Sequence, residues 1–337
     1  TLVALFPALG LNGVQGAGSR AAVVPGGGDT MSLLLMLVPC LRNGANTAGR
    51  GRSPGVWYCR SMNIITEPTV EVCYRQQADH EAVARYVGEP WRSDCDIAAQ
   101  SAVELGGRSC YWSFKTPRPG GNAAHLKNLI ESGHGSCLHH AVWTIGVRGV
   151  SRSFSHELNR HSVGFSPSEL SQRYVDCSDV AFVVPPAKLK WHAAYVATSS
   201  LCNDNVDDRT WTLAGYYSDW IGDRMADLQR YERDTERLME DAPAEYVGTE
   251  RRKWARQAAR DGLPNCTETR LVITANARAI RNVCEQRGSR HADAEIRRFA
   301  NVLYAVMVIE APAIFGDYAK TPLPDGSLEL TTKNRKV

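Results

Sequence analysis

The stretch Arg160–Tyr174, RHSVGFSPSELSQRY, is the densest polar run in the 337-residue sequence, and its reading decides the fold. It sets two arginines, a histidine, a glutamate and four serines within fifteen residues, between two apolar elements. Phosphate esters are held best by guanidinium forks and by hydroxyl or backbone donors converging from a loop, and this segment supplies each of these. Composition alone leaves an ordinary polar surface loop as an equal reading. No other nucleotide or nucleophile signature competes with it. No Walker pattern occurs, and the run Gly26–Gly28 has neither a strand before it nor a helix after it.

Outward from this segment, hydrophobic periodicity predicts the frame. Upstream, Thr69–Arg75 (TVEVCYR) and His140–Val150 alternate as strands, and Ser151 starts a helix that runs to about His161. Between them, Asp94–Gly106 reads as a helix and the Pro- and Gly-rich Tyr111–Asn122 as a loop. Ala123–Ser132 reads as a short helix with Leu126, Leu129 and Ile130 on one face. Downstream, Val180–Val184 is a buried strand ended by Pro185 and Pro186, whereas Lys188–Trp220 has no clear period and is expected to be an inserted loop. A long helix follows, with Ile221, Met225, Leu228 and Tyr231 on one face and Arg251–Arg260 as its basic end. Next come a strand over Glu268–Ala275, a helix over Asn276–Arg287 and an amphipathic helix over Ala292–Glu310, stopped by Pro312.

The bulk numbers exclude several classes. With 43% hydrophobic and 22% charged residues the chain falls in the ordinary globular range. The formal charge of +3 comes from residues 1–61, which hold five arginines and one acid; the rest of the chain sums to about −1. Nucleic-acid binding wants a basic body with aromatic platforms, so Arg251–Arg260 reads as a solvated helix face and no nucleic-acid partner is expected. The ten cysteines are scattered without CxxC pairs, as suits reduced thiols in a cytoplasmic protein. The cluster His134, Cys137, His139 and His140 lacks a second half at finger spacing, so no metal is expected. The apolar run Met31–Cys40 is far shorter than the ~20 residues that span a bilayer, and no membrane association is expected. Residues 1–61 are read as a disordered or non-native extension, with Met62 the natural start. Residues 62–337 are read as a single catalytic domain with an insertion near 188–220.

The segment 160–174 resembles the signature RHRxxSxxExSxRY of the flavin-dependent thymidylate synthases, the thymidylate synthase complementing family. The matching positions are Arg160, His161, Ser166, Glu169, Ser171, Arg173 and Tyr174. Upstream, HGSCLHHAVWTIGVRGVSRSFSHEL is similar to that family's approach to the motif. Downstream, Arg260, Leu263-Pro264, Asn276-x-Arg278, Arg287 and His291-Ala-x-x-Glu295-Ile296 keep the family's order. The resemblance covers roughly residues 62–325. It implies a mixed α/β (α+β) fold, with a largely antiparallel sheet flanked by helices. It also implies reductive methylation of dUMP to dTMP, with FAD as cofactor and NADPH and methylenetetrahydrofolate as co-substrates, in a homotetramer whose sites form between subunits.

Residue by residue, the resemblance makes Arg287 the catalytic group, contacting the uracil ring and favouring its ionised form. Glu157, Arg160, Glu169, Leu170, Ser171, Gln172, Arg173 and Arg287 fall at positions that hold dUMP, together with Arg260 from a neighbouring subunit. For FAD the matching residues are Ser136, Arg160, His161, Ser162, Glu169, Asn276, Arg278 and Asn282. The hard chemistry belongs to the cofactor, and no cysteine or serine nucleophile is required. Three departures stand out. Ser162 replaces the second arginine of the motif beside a one-residue insertion at 162–164, His139 stands where the family commonly has Glu, and Lys188–Trp220 is long. They define the second reading, a catalytically degenerate flavin- and nucleotide-binding relative.

Overall fold

Alternation builds the sheet. In Val142–Ser151, Trp143, Ile145 and Val147 turn inward; in Glu268–Asn276, Leu271, Ile273 and Ala275 do the same, while Arg270, Val272 and Thr274 face out. A period of two puts one apolar face on each strand, and the two faces coincide because the strands pair in register, Ile145 opposite Ile273. The computed structural model describes residues 62–116, 118–199 and 206–335; the expectations for residues 1–61 lie outside them.

In chain order the elements begin with β1 (Ile64–Ile65), β2 (Thr69–Arg75), α1 (His80–Val87), α2 (Ala98–Ser109) and α3 (Gly121–Glu131). A 3-10 turn (Gly135–His140) leads into β3 (Val142–Ser151), α4 (Arg152–Leu158), β4 (Phe165–Glu169) and β5 (Phe182–Val183). Three helices follow, α5 (Leu189–Ser199), α6 (Asp208–Asp241) and α7 (Gly248–Ala259), and then β6 (Glu268–Asn276). The chain closes with α8 (Ala277–Arg287), α9 (Ala294–Glu310), α10 (Pro312–Phe315), β7 (Ala319–Pro322) and β8 (Leu328–Thr331). The main sheet is antiparallel in the order β2-β3-β6-β4, flanked by helices, so the mixed and largely antiparallel fold class holds.

The inner face of the sheet packs on helices through buried aromatics. Phe154 of α4 meets Phe299 of α9 edge-on at 4.8 Å, and Trp143 of β3 meets Phe315 of α10 at 6.1 Å. Each such burial contributes about 1.5–3 kcal/mol. The ladder between β3 and β6 shifts register between Val147 and Val150, at Gly149. Gly149 has φ +72°, and a Cβ there would lie 2.6 Å from the Glu67 carbonyl oxygen, so only glycine fits this bulge. The bulge turns the chain into α4, whose N-cap Ser151 accepts from the Phe154 N–H at 3.1 Å.

Several expectations are corrected. Lys188–Trp220 is not a loop, because most of its described residues belong to α5 and the first turns of α6. Its apolar residues are mostly aromatic and spread around the helices, so no narrow stripe announces them. They pack on one another, with Trp191 against Tyr216 and Tyr217 against Trp220, both at 5.5 Å. The buried face expected from Ile221 onward already begins at Ala214 and Tyr217. Arg251–Arg260 is not the end of that helix. Pro243 forces Ala242 out of helical geometry (ψ 138°), α6 stops at Asp241, and the basic run falls on the separate α7. The helix begun at Ser151 ends at Leu158, three residues short of His161, and α1 had no counterpart in the periodicity. Within the segment read as a polar loop, Phe165–Glu169 is a strand, paired with β6 from Phe165↔Ala275 to Glu169↔Leu271.

Candidate functional site

Helix α8 is the spine of the site. Asn276 closes β6 and caps α8, its Oδ1 accepting from the Ala279 N–H at 2.9 Å. One face of α8 is buried through Ile280, Arg281, Val283 and Cys284. That leaves Arg278, Asn282 and Arg287 toward the segments around His139 and His161, spread along about 14 Å of helix.

At the C-terminal end, the Arg287 guanidinium is fixed from three directions. Its Nε donates to His161 Nε2 at 2.9 Å, one Nη to Glu157 Oε2 at 2.9 Å and the other to the Glu157 carbonyl at 3.2 Å. His161 accepts through Nε2, so Nδ1 carries its proton and faces the Asn282 amide at 3.4 Å. Burial and then the Arg287 charge pull this imidazole down to about 4, so it is neutral near pH 7. Glu157 is held indirectly: Glu295 of α9 accepts from both the N–H and the hydroxyl of Ser151, at 2.8 and 2.7 Å, anchoring the start of α4. The loop from α4 into β4 returns at Gly164 (φ +68°), where a Cβ would sit 2.1 Å from the Asn276 amide nitrogen. Glycine there lets the loop lie directly on the α8 cap, with Asn276 N–H donating to the Gly164 carbonyl at 3.0 Å.

At the N-terminal end, the Asn276 amide and one Nη of Arg278 approach the two ring nitrogens of His139, at 3.2 and 3.3 Å. Burial and the Arg278 charge lower the pKa of this imidazole, and a neutral imidazole offers one acceptor to these two donors. Ser136 and Arg278 line an adjoining cleft of about 450 Å³ with Gly107, Cys110, Tyr111 and His134. A cleft of this size lies in the range of small-molecule and cofactor sites.

The remaining residues fall on the other side of β4. Glu169 bonds Arg152, accepts from Thr269 Oγ1 at 2.9 Å and faces Asn159 at 3.4 Å. Leu170 continues the strand pairing, its N–H donating to the Arg270 carbonyl at 2.9 Å. Ser171 Oγ accepts from the Arg173 N–H at 3.4 Å, with Gln172 half-buried between them. Arg173 Nε is buried without a hydrogen-bond partner among the described residues, and its guanidinium lies 5.9 Å from the Tyr174 ring. The segment is pinned just beyond by Arg256 of α7, which donates to the Tyr174 carbonyl at 2.8 Å and pairs with Asp176 at 2.7 Å.

The structure therefore brings Glu157, His161 and Arg287 into one hydrogen-bonded group with Asn282 beside it, and Asn276 and Arg278 together around His139. Arg160 and Ser162 are exposed, and no hydrogen bond ties their side chains to the other described residues. Arg260 is exposed one turn beyond Arg256 and meets none of the other site residues. Sequence reasoning did not name Arg152, Asn159, Thr269 and Arg256, which hold the site in shape. The register of β4 on β6, which sets Thr269 two residues from the partner of Glu169, was the available signal for one of them. Among the described residues no three His, Cys, Asp or Glu side chains converge on a metal position, and no helix is long and apolar enough to cross a membrane.

Comparison with known proteins agrees with this geometry. The profile of the family described as thymidylate synthase complementing protein matches residues 95–313, which hold all the site residues above. A flavin-dependent thymidylate synthase from Mycobacterium sp. (strain JLS) is 42% identical over 245 residues, covering 72% of this chain and 89% of the relative. One from Mycobacterium tuberculosis (strain ATCC 25177 / H37Ra) is 39% identical over 245 residues, covering 72% and 88%. Among solved structures, the UMP/dUMP methylase PolB from Streptomyces cacaoi, bound with 5-Br dUMP, superposes with a TM-score of 0.50. At 19% identity it covers 75% of this chain and 95% of its own, a likeness of fold. The three motifs around α8, their assembly into one site and the extent of these matches establish that the chain belongs to the thymidylate synthase complementing protein family.

Proposed function

We infer that this chain is a flavin-dependent thymidylate synthase that methylates the uracil ring of dUMP to give dTMP. The observation that carries the reading is Arg287, held rigid by a neutral His161 and by Glu157 at the end of α8. A fixed guanidinium in a partly desolvated site stabilises negative charge developing on the uracil ring without reorganising, which is how such groups accelerate reactions. Because His161 is neutral it orients Arg287 without cancelling its charge, leaving Glu157 as the one carboxylate in contact. Ser171 and the unsatisfied Arg173 suit the phosphate of dUMP. Ser136, Asn276 and Arg278 are the residues that would hold FAD along the cleft, with His161 and Asn282 toward the reacting end. The bound flavin, reduced by NADPH, supplies the hydride, and methylenetetrahydrofolate supplies the carbon.

Residues 62–337 act in this proposal as a single catalytic domain, assembled as a homotetramer. Exposed Arg260 supports the assembly, since it meets none of the other site residues of its own subunit and in a tetramer would serve a neighbour's dUMP. The outer sheet face, with Val272 half exposed, offers surface for such a contact. The cytoplasm, where dUMP, folate and NADPH are pooled, is the proposed location.

The test is an absorbance spectrum of the purified chain, then tritium release from dUMP labelled at uracil C5 with NADPH and methylenetetrahydrofolate, for the parent and Arg287→Ala. Flavin bands, with release that disappears in the variant, are the expected result. Bound flavin without release from the parent would identify a degenerate relative, and absence of both flavin and dUMP binding would defeat the assignment of function.

A further inference from the structure

Two thiols line the cleft that holds Ser136 and Arg278, and the mechanism above uses neither. Cys110 is the exposed C-cap of α2, and Cys137 is buried, 5% exposed, in the turn Gly135–His140. They come together because α2 ends in two glycines. A Cβ on Gly106 would lie 2.4 Å from the His140 ring, and one on Gly107 would lie 2.8 Å from Leu129, so the turn and α3 press directly on the last turn of α2. The Cys110 thiol donates to the Gly106 carbonyl at 3.4 Å, which holds it on this side of the helix, and Cys137 lines the same cleft across from it in the turn. Burial, and then the neighbouring Cys110, push the Cys137 thiol up, so it stays protonated while Cys110 meets solvent.

We propose that Cys110 and Cys137 form an oxidisable dithiol, and that their bridging by a hydroperoxide reshapes the cleft and weakens flavin binding. An exposed thiol beside a resolving one is the usual arrangement of an oxidant-sensitive pair. The Cys110 sulfur takes one oxygen of the hydroperoxide and becomes a sulfenic acid, and the other oxygen leaves as water or an alcohol. The Cys137 sulfur then displaces that hydroxyl, and its own proton departs with it as water. The two thiols together lose two electrons and the hydroperoxide gains them. A disulfide requires the sulfurs at about 2.05 Å, closer than any hydrogen bond allows, so bridging draws the end of α2 and the turn together across the cleft beside Ser136. The effect on flavin rests on the function proposed above; the bridge itself does not.

The experiment treats the full chain with hydrogen peroxide, alkylates the remaining thiols, maps linked peptides by mass spectrometry and titrates FAD before and after treatment. The expected result is a Cys110–Cys137 peptide pair that dithiothreitol reverses, with FAD affinity reduced about fivefold or more, the lower range of coupling between two sites. In Cys110→Ser and Cys137→Ser, each compared with itself before and after peroxide, the linked pair is absent and the affinity ratio falls to about one. Using both variants guards against a folding defect at the buried position. Oxidation of Cys110 to sulfinic or sulfonic acid without a linked pair overturns the proposal, as does a linked pair with unchanged FAD affinity. A reduced chain that binds no FAD overturns the flavin reading of the cleft instead, and the linked pair alone then decides whether the dithiol exists.

Discussion

Arg281 and Arg287 leave the same helix six residues apart and enter opposite chemical settings. Arg281 is 1% exposed and grips Asp317 with two parallel contacts at 2.6 and 2.9 Å, its guanidinium stacked 5.0 Å from the Tyr318 ring. Arg287 is 18% exposed on its side chain and meets one carboxylate, Glu157, and one neutral imidazole, His161. Both are tied by several hydrogen bonds, so bond count does not separate a structural arginine from a functional one. What separates them is where the partners come from. Arg281 is bound to the C-terminal segments around Ile314 and Asp317, which close the core. Arg287 is bound to Glu157 and His161, at the end of α4 and in the loop that leads into β4.

The largest effect expected from this contrast is on stability. Arg281→Ala leaves Asp317 without its counter-charge and should cost about 3–5 kcal/mol, the usual penalty for breaking a buried pair by removing one partner. Urea denaturation measures it, and a loss below about 1 kcal/mol would show that Arg281 is not a structural anchor. Arg287→Ala should do the reverse, lowering turnover by about 10²–10³. Its unfolding midpoint should stay within about 0.5 kcal/mol of the parent. If both variants unfold equally easily, the distinction between the two faces of α8 fails.

This contrast was only half legible in the sequence. Periodicity was enough for β3, β6 and α9, because in each of them one apolar face meets the core. It failed at α5 and the first turns of α6, where aromatic side chains pack sideways on one another and the burial stripe is broad. The motif placed Arg287, His161 and Asn282 by number, but not their mutual bonds, because those depend on how the loop after α4 folds back onto α8. Arg281 carried no signal at all. A buried arginine reads like any helical arginine until the chain 36 residues later supplies Asp317. His139 shows the converse, since a position read only as a departure from the family proves to lie between Asn276 and Arg278, 3.2 and 3.3 Å from them.

Gly164 tests the hinge between the loop and the helix. Its positive φ and the absence of room for a Cβ put Gly164→Ala in a strained backbone region, at about 1–3 kcal/mol. The neighbour that must yield is the Asn276 side chain, so the strain should appear mainly as weaker FAD retention, about tenfold, measured by ultrafiltration of the holoprotein. An equal loss of global stability with unchanged FAD retention would place the strain in the fold and leave the site untouched.

The smallest effect is the most specific to the Arg287 end. His161 has its pKa lowered from 6.5 to about 4 in the folded chain, by burial and by the Arg287 charge. Between those two values the unfolded chain binds the proton and the folded chain does not, so stability rises with pH across that window. The contribution is therefore complete above about 6.5 and is lost progressively as pH falls toward 4. His161→Gln retains an acceptor for the Arg287 Nε–H but cannot titrate. Acidification from pH 7 to 4.5 should then destabilise the parent more than the variant, a difference that denaturant titrations at a series of pH values measure directly. Parallel curves would mean that His161 takes up its proton as readily in the folded chain as in the unfolded one as the pH falls. Two cations would then stand side by side, and the bond that orients Arg287 would have no acceptor.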